Sequence, residues 1–443
     1  QILLKVKTEI ISLLSQSLHQ GVMINLPPER QSEQPERLWD IQLKIGNRQT
    51  VNLDRETNIN TVFTQTNGRL LILGTVGSGK TTTMLELTLE LVNHAINDID
   101  LPIPVIFNLV DWKKSKLGLL NWLNLELKNQ YNIDLAQGKI LIESQQIIFC
   151  LDNLDQLDLT TQQLCIQSLN QLLEKNTIQS LIICSRLDAY SRSNTRLKVN
   201  GAIFLRPLNS SQIREYLVNA RSRQLWELIK NESPILNLAK TPLFLSMMTL
   251  AFEEILIHGW RRIKDGEERK KYLFNAYIRR MLALKTSSKY YNQNQEPLPE
   301  KTRFWLSFLA KKMQQMGLHE LRIHQIDNTW LESENKSQIT LYYGLIWTII
   351  IILIIGAGLV NFLWVQNIFY FPLMLALVTG GLWFYGLKLI KKFSLHFVLW
   401  INGYIPWNYT RFLNYATTKL FLQKIDHKYR FIHIILQEHF ADI

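Results

Sequence analysis

The residues best suited to chemistry lie in one short run, Gly74-Thr75-Val76-Gly77-Ser78-Gly79-Lys80-Thr81. It fits G-x-x-x-x-G-K-[ST], the spacing of a phosphate-cradling loop. Its glycines let the backbone turn sharply and aim N–H groups at anionic oxygens. Lys80 supplies a positive charge for the outer phosphates of a nucleotide, and Thr81 supplies a hydroxyl for Mg²⁺. Gly74, Gly77, Ser78, Gly79, Lys80, Thr81 and Thr82 are the expected nucleotide contacts. An apolar run at 70–73 leads into the loop, and a helix-forming run at 82–93 follows it. The helix N-terminus adds a dipole that favours negative charge.

Such a loop needs an acid to help hold the cation. The apolar stretch 146–151 ends in Asp152, at a strand end that faces the same crevice. Asp152 is expected to hold Mg²⁺ together with Thr81. Asp155, three residues on, is placed to orient attacking water. A further apolar stretch, 181–184, runs into Ser185 and Arg186. A guanidinium there can meet the terminal phosphate and report its presence. Lys80, Asp152, Asp155 and Arg186 are the expected catalytic set.

These residues require a particular scaffold. Strands are expected at 69–73, 105–108, 146–151, 181–184 and 202–205, alternating with longer helical patterns. Unbroken apolar strands such as Ile147-Ile148-Phe149-Cys150-Leu151 suit a parallel sheet covered on both faces. Before the sheet, the chain reads as a helix followed by a Pro- and charge-rich connector; from 209 to 335 it reads as helical. With 443 residues there is room for two or three domains. The net charge of +12 has no Arg/aromatic-interleaved stripe behind it, so no specific nucleic acid is expected as a partner. Three cysteines cannot build a disulfide framework, and Cys150 and Cys184 sit in strand-like runs as small core residues of a reducing compartment. The sequence begins at Gln1, consistent with an upstream segment, and shows no signal peptide.

No charged residue occurs between Lys336 and Lys388. Two apolar runs, 341–365 and 368–390, fill that interval around the polar pair Gln366-Asn367. Each exceeds the ~20 residues needed to cross a bilayer. Lys388, Lys391 and Lys392 follow the second run, and the turn between the runs is uncharged. The expectation is a membrane hairpin with both flanks, and the nucleotide-binding body, on the cytoplasmic side of a plasma or other inner membrane.

The order of motifs resembles the NACHT group of STAND nucleotide-switch ATPases, relatives of AAA+ proteins, and looks closest to cyanobacterial members with transmembrane helices. GTVGSGKTTT resembles the family's phosphate loop, FCLDNLDQLD its acidic strand, and IICSR the strand ending in T-S-R. LRPLNSSQIREYL and LAKTPLFLSMM resemble segments of its helical subdomain; the match implies that Pro242 lies against the nucleotide base. The run from Tyr429 to Ala441 resembles the winged-helix signature F-x-H-x-x-x-Q-E-x-x-A, which implies that His433 reaches the β-phosphate of a bound diphosphate.

The resemblance implies an α/β P-loop NTPase with an AAA+/STAND-like parallel sheet. Helical and winged-helix subdomains would follow it, interrupted by a two-helix transmembrane hairpin. The corresponding spans are 1–67 (helix and linker), 68–208 (nucleotide-binding), 209–335 (helical, with the start of the winged-helix region), 336–392 (hairpin) and 393–443 (winged-helix completion). Function is expected as a membrane-anchored ATP/ADP switch with slow hydrolysis, and GTP fits the same motifs. Its partners would be the lipid bilayer and either itself or another protein. Gln156 stands where the family usually has Glu, Asn153 where it usually has Gly, and Val76 where Pro is common; binding is better supported than turnover. A transport-coupled ATPase and a non-hydrolysing membrane scaffold are the alternatives.

Overall fold

Five apolar runs fold as adjacent parallel strands because their side chains are apolar on both faces and can be covered only by helices. The strands are β3 (Arg69–Gly74), β4 (Ile103–Asn108), β5 (Ile147–Asp152), β6 (Ser180–Arg186) and β7 (Gly201–Leu205). The computed structural model describes residues 1–18, 22, 41–45, 51–53, 58–115, 117–255, 257–284, 289–292, 295–331, 336–364, 386–425 and 428–443. Two units emerge, Gln1–Leu284 and Lys285–Ile443. The boundary falls inside the stretch 209–335 that the sequence reads as one helical region.

In the first unit the sheet order is β2-β1-β7-β3-β6-β5-β4. β1 (Ile41–Ile45) pairs antiparallel with β7, and β2 (Val51–Leu53) pairs antiparallel with β1. These two strands lie in the stretch expected as helix and linker. Helix α1 (Ile2–Ser15) precedes them, and α2 (Lys80–Asn97) follows β3. Leu70, Ile72, Ile148, Cys150, Ile182 and Cys184 pack under Met84 and Leu87 of α2. Each such buried side chain contributes about 2 kcal/mol. The chain leaves β3 for the far edge at β4, works back through β5 and β6, then crosses to the other side of β3 as β7. That reversal opens a crevice at the carboxyl ends of β3 and its neighbours. Helix α3 (Pro242–Leu250) belongs to the same unit.

The second unit is built on α4 (Pro299–Gln315), α7 (Tyr409–Thr418) and α8 (Ile434–Asp442). They surround a three-stranded antiparallel sheet ordered β8-β10-β9, from Leu321–Arg322, Lys428–Phe431 and Leu422–Ile425. The sequence also reads as two strands at 421–424 and 429–432; β9 and β10 lie there, each offset by a residue, and β8 was not anticipated. Trp330, Phe412, Phe421 and Phe440 fill the core.

Helix α5 (Lys336–Trp364) projects 29 residues, about 44 Å. Its segment Ser337–Gly356 is long and apolar enough to cross a membrane, and it alone meets that test among the described residues. Trp347 is 64% exposed and Ile352 62%. The expected second run, 368–390, falls largely on 365–385, outside the described residues. The chain is described again in α6 (Leu387–Ile401).

Candidate functional site

The loop between β3 and α2 takes the shape its glycines allow. Gly77 and Gly79 have φ of 76° and 94°, values that a side chain strongly disfavours. A Cβ on Gly77 would lie 2.9 Å from Cβ of Leu243, and the Leu243 N–H donates to the Gly77 carbonyl at 3.2 Å. The start of α3 is thus locked onto the phosphate loop. Pro242, expected against the base, is the first residue of that helix, where proline costs no hydrogen bond. Sequence reasoning missed the Gly77–Leu243 contact, because nothing in the spacing of either residue announces it.

Lys80 opens α2 and turns back over its own loop, with Nζ donating to the carbonyls of Thr75 (2.8 Å) and Gly74 (3.3 Å). Burial lowers its pKa, opposed by the charges of Asp155 and Asp152 and assisted by Arg186. An incoming polyphosphate would restore its proton affinity. Ser78 is buried, Thr82 is half-buried in the first turn of α2, and Gly74 closes β3.

Thr81 carries the decisive contact. Its hydroxyl donates to Oδ2 of Asp152 at 2.8 Å, joining residues 71 positions apart. β6 lies between their strands, so the contact spans the crevice. Asp152 is 6% exposed, and its Oδ1 accepts from the Asn153 N–H at 2.9 Å. A hydroxyl that gives its proton to a carboxylate keeps its lone pairs for a cation. The pair offers hard oxygen donors, which suit Mg²⁺. Among the described residues no group of three or more His, Cys, Asp or Glu could hold a metal alone. A cation here would therefore need phosphate oxygens and water to complete its shell.

Asp155 and Arg186 also meet. The Arg186 guanidinium pairs with Asp155 at 2.8 Å, and the Arg186 N–H donates to the same carboxylate at 3.2 Å. This clamp fixes both side chains at the ends of neighbouring strand segments. A terminal phosphate would compete with Asp155 for the guanidinium.

Asn153 sits at φ 65°, a left-handed position where Asn is tolerated and Gly is easier still. That accounts for the substitution. Its side chain joins an amide chain: Gln156 Nε2 donates to Asn153 Oδ1 at 2.9 Å, and Asn153 Nδ2 donates to Asn108 Oδ1 at 3.3 Å. Asn108 ends β4 and was not singled out from sequence. A polar residue closing an apolar strand was the available signal.

His433 lies in the other unit. It caps α8, its Nδ1 accepting from the Ile435 N–H at 3.2 Å, which leaves the neutral ring's proton on Nε2. Within the first unit, then, the structure gathers Gly74 to Thr82, Asp152, Asp155, Arg186 and Pro242 around one crevice. The arrangement is that of a P-loop nucleotide-binding fold.

No family model matches the chain, and no curated protein matches it. Solved structures give slight likenesses. Cdc6p from Pyrobaculum aerophilum is 12% identical, covering 87% of this chain and 92% of that one, at a TM-score of 0.30. Drosophila ORC bound to DNA is 14% identical over 60% of this chain and 67% of that chain, at 0.31. Aeropyrum pernix ORC1 in complex with DNA is 13% identical over 60% and 72%, at 0.30.

Proposed function

We propose that this protein is a membrane-anchored nucleotide switch of NACHT/STAND type. It would bind ATP or ADP with Mg²⁺ between the phosphate loop and the Asp152 strand. The Thr81–Asp152 hydrogen bond of 2.8 Å carries this reading, because it unites the two halves of a phosphate and cation site from distant parts of the chain. The grip of Leu243 on Gly77 supplies a route outward: a change in loop conformation on binding moves the start of α3. Competition between a γ-phosphate and Asp155 for Arg186 gives a way to distinguish triphosphate from diphosphate. The helices and three-stranded sheet of the second unit would form the winged-helix subdomain. The exposed apolar length of α5 supports anchoring in the bilayer as one arm of a hairpin.

Purified protein should retain or bind ADP or ATP. The Lys80→Ala variant loses a charge-assisted phosphate contact of about 3 kcal/mol, or about 100-fold in affinity. Calorimetric titration checks this. Equal affinity in both proteins would remove the site assignment. A shift in particle size between ADP and ATP would mark the switch as acting through self-association.

The amide chain favours a second reading, a scaffold that binds nucleotide without turning it over. Gln156 supplies no carboxylate and is engaged with Asn153. A bound diphosphate that never exchanges, with unchanged particle size on adding ATP, would select that reading.

A further inference from the structure

Helix α6 is two-faced. Ile390, Ser394, Leu395, Val398 and Leu399 are buried on one side. On the other, Leu389 (68% exposed), Phe393, Phe397 and Trp400 recur at helical spacing, and Trp407 joins them beyond the helix end. The rings form one continuous cluster: Phe393 stacks on Phe397 at 6.3 Å, Phe397 meets Trp400 at 5.8 Å, and Trp400 meets Trp407 at 5.1 Å. His396 Nε2 lies 2.6 Å from the Trp407 carbonyl and holds that loop against the helix. Lys388, Lys391 and Lys392 are all exposed in the first turns.

A stripe of large aromatic residues in water is costly, since covering each removes apolar surface from water. The charge and position of this stripe identify the cover. Tryptophan and lysine are the side chains that settle at the headgroup level of a membrane. The stripe is also continuous with the apolar stretch. α6 follows the uncharged interval directly in sequence, and α5 and α6 pack together. The segment after α6 holds the root of α5: Gln338 Nε2 donates to the Tyr404 hydroxyl at 3.1 Å, and Tyr342 and Ile346 are buried.

We propose that the stripe from Leu389 to Trp407 docks on an anionic lipid surface beside the membrane-crossing segment and sets the tilt of that segment. This rests on the membrane reading above and adds to it a specific lipid-facing surface with a preference for acidic headgroups. The three lysines provide that preference through attraction to a charged leaflet. Tilt follows from such interfacial anchors rather than from span length.

The three native cysteines are buried, so single introduced cysteines can carry a spin label. The full chain would be reconstituted in nanodiscs of phosphatidylcholine with or without phosphatidylglycerol, labelled in turn at Phe393→Cys, Trp400→Cys, Lys391→Cys and Ile351→Cys. A thermal unfolding transition matching the parent's confirms that each variant is folded. With acidic lipid, labels at 393 and 400 should collide several-fold more often with oxygen than with a water-soluble nickel chelate, and the label at 391 should show the reverse. Omitting phosphatidylglycerol should shift 393 and 400 toward the chelate. Nickel-dominated collisions at 393 and 400, with 351 still in hydrocarbon, would overturn the stripe and leave the anchor intact. Nickel access at 351 would remove the anchor itself. Labels at 393 and 400 shielded from both reagents, with broadening that grows with protein density, would assign the stripe to a second copy of the chain instead.

Discussion

The two units bury opposite things. In the first, four titratable groups of the crevice are drawn in and made to offset one another: Lys80 faces Asp155 and Asp152, and Arg186 is clamped by Asp155. Its central strands are the most covered; every residue of β5 is buried. In the second, a helix of isoleucines and a row of aromatic rings stand outward. Water is the natural solvent for the outside of the first unit and a poor one for α5. Under the membrane reading proposed above, that difference is the one an anchored nucleotide-binding body requires.

The test with the largest expected effect removes half of that contrast. Ile351→Asp places a carboxylate in the middle of the exposed apolar run, at a cost of about 3 kcal/mol if that run lies in hydrocarbon. The variant should be extracted from membranes by alkaline carbonate where the parent is not, while nucleotide affinity stays the same. Unchanged extraction would place α5 against protein or water.

Much of this contrast was readable in advance, and the reasons are physical. Strands β3 to β7 were legible because a strand covered on both faces must be apolar at every position, as in Ile147 to Leu151. The loop was legible because its conformation needs glycine at fixed offsets. β1 and β2 were not: they lie at a sheet edge, they are short, and Lys44 and Asn52 break any apolar run. β8 is two residues long and is defined only by its pairing with Lys428 and Tyr429. The motifs assign Thr81 and Asp152 to one cation without announcing the hydrogen bond between them, and the Gly77–Leu243 contact depends on where the helical region folds back, which no local pattern encodes.

The second unit also contains a buried charge pair that sharpens the comparison. Glu320 and Lys428 meet at 2.9 Å between β8 and β10, with side chains 12% and 18% exposed. Burial alone would raise the Glu320 pKa; Lys428, Arg430 and Arg322 outweigh it and bring the value below the ordinary 4.5. A depressed carboxyl contributes stability that is present above its unfolded pKa and is lost as pH falls through the folded value. Glu320→Gln leaves Lys428 without its carboxylate and should cost about 3 kcal/mol at neutral pH. It should also flatten the acid limb of a melting-temperature profile below pH 4.5. An unchanged acid limb would mean that other carboxylates govern acid unfolding.

A smaller effect probes the first unit. Gly77→Ala must hold a φ of 76° with its new Cβ 2.9 Å from that of Leu243. The expected cost is about 1–2 kcal/mol, and affinity for nucleotide should fall about tenfold as the loop and α3 separate. If melting temperature drops and affinity does not, the contact serves the fold alone.

The smallest expected change concerns turnover, and it would add function where the others remove it. Gln156 is held by its Nε2–H to Asn153, while its Oε1 is enclosed. Glutamate there has no proton to donate, and its negative charge meets the Asn153 carbonyl oxygen and the nearby acids Asp152 and Asp155. The side chain is expected to leave the amide chain and turn toward the crevice, where a carboxylate can accept a proton from water. A positioned base contributes about 100-fold or more, and imperfect orientation leaves about tenfold. Phosphate release at saturating ATP and Mg²⁺ measures it, with ADP affinity as the control for an intact site. A faster Gln156→Glu enzyme identifies the missing carboxylate as what separates this chain from an active hydrolase. An unchanged rate would move the limitation to the Asp155–Arg186 clamp, because a carboxylate held by arginine cannot orient water until the γ-phosphate draws that arginine away.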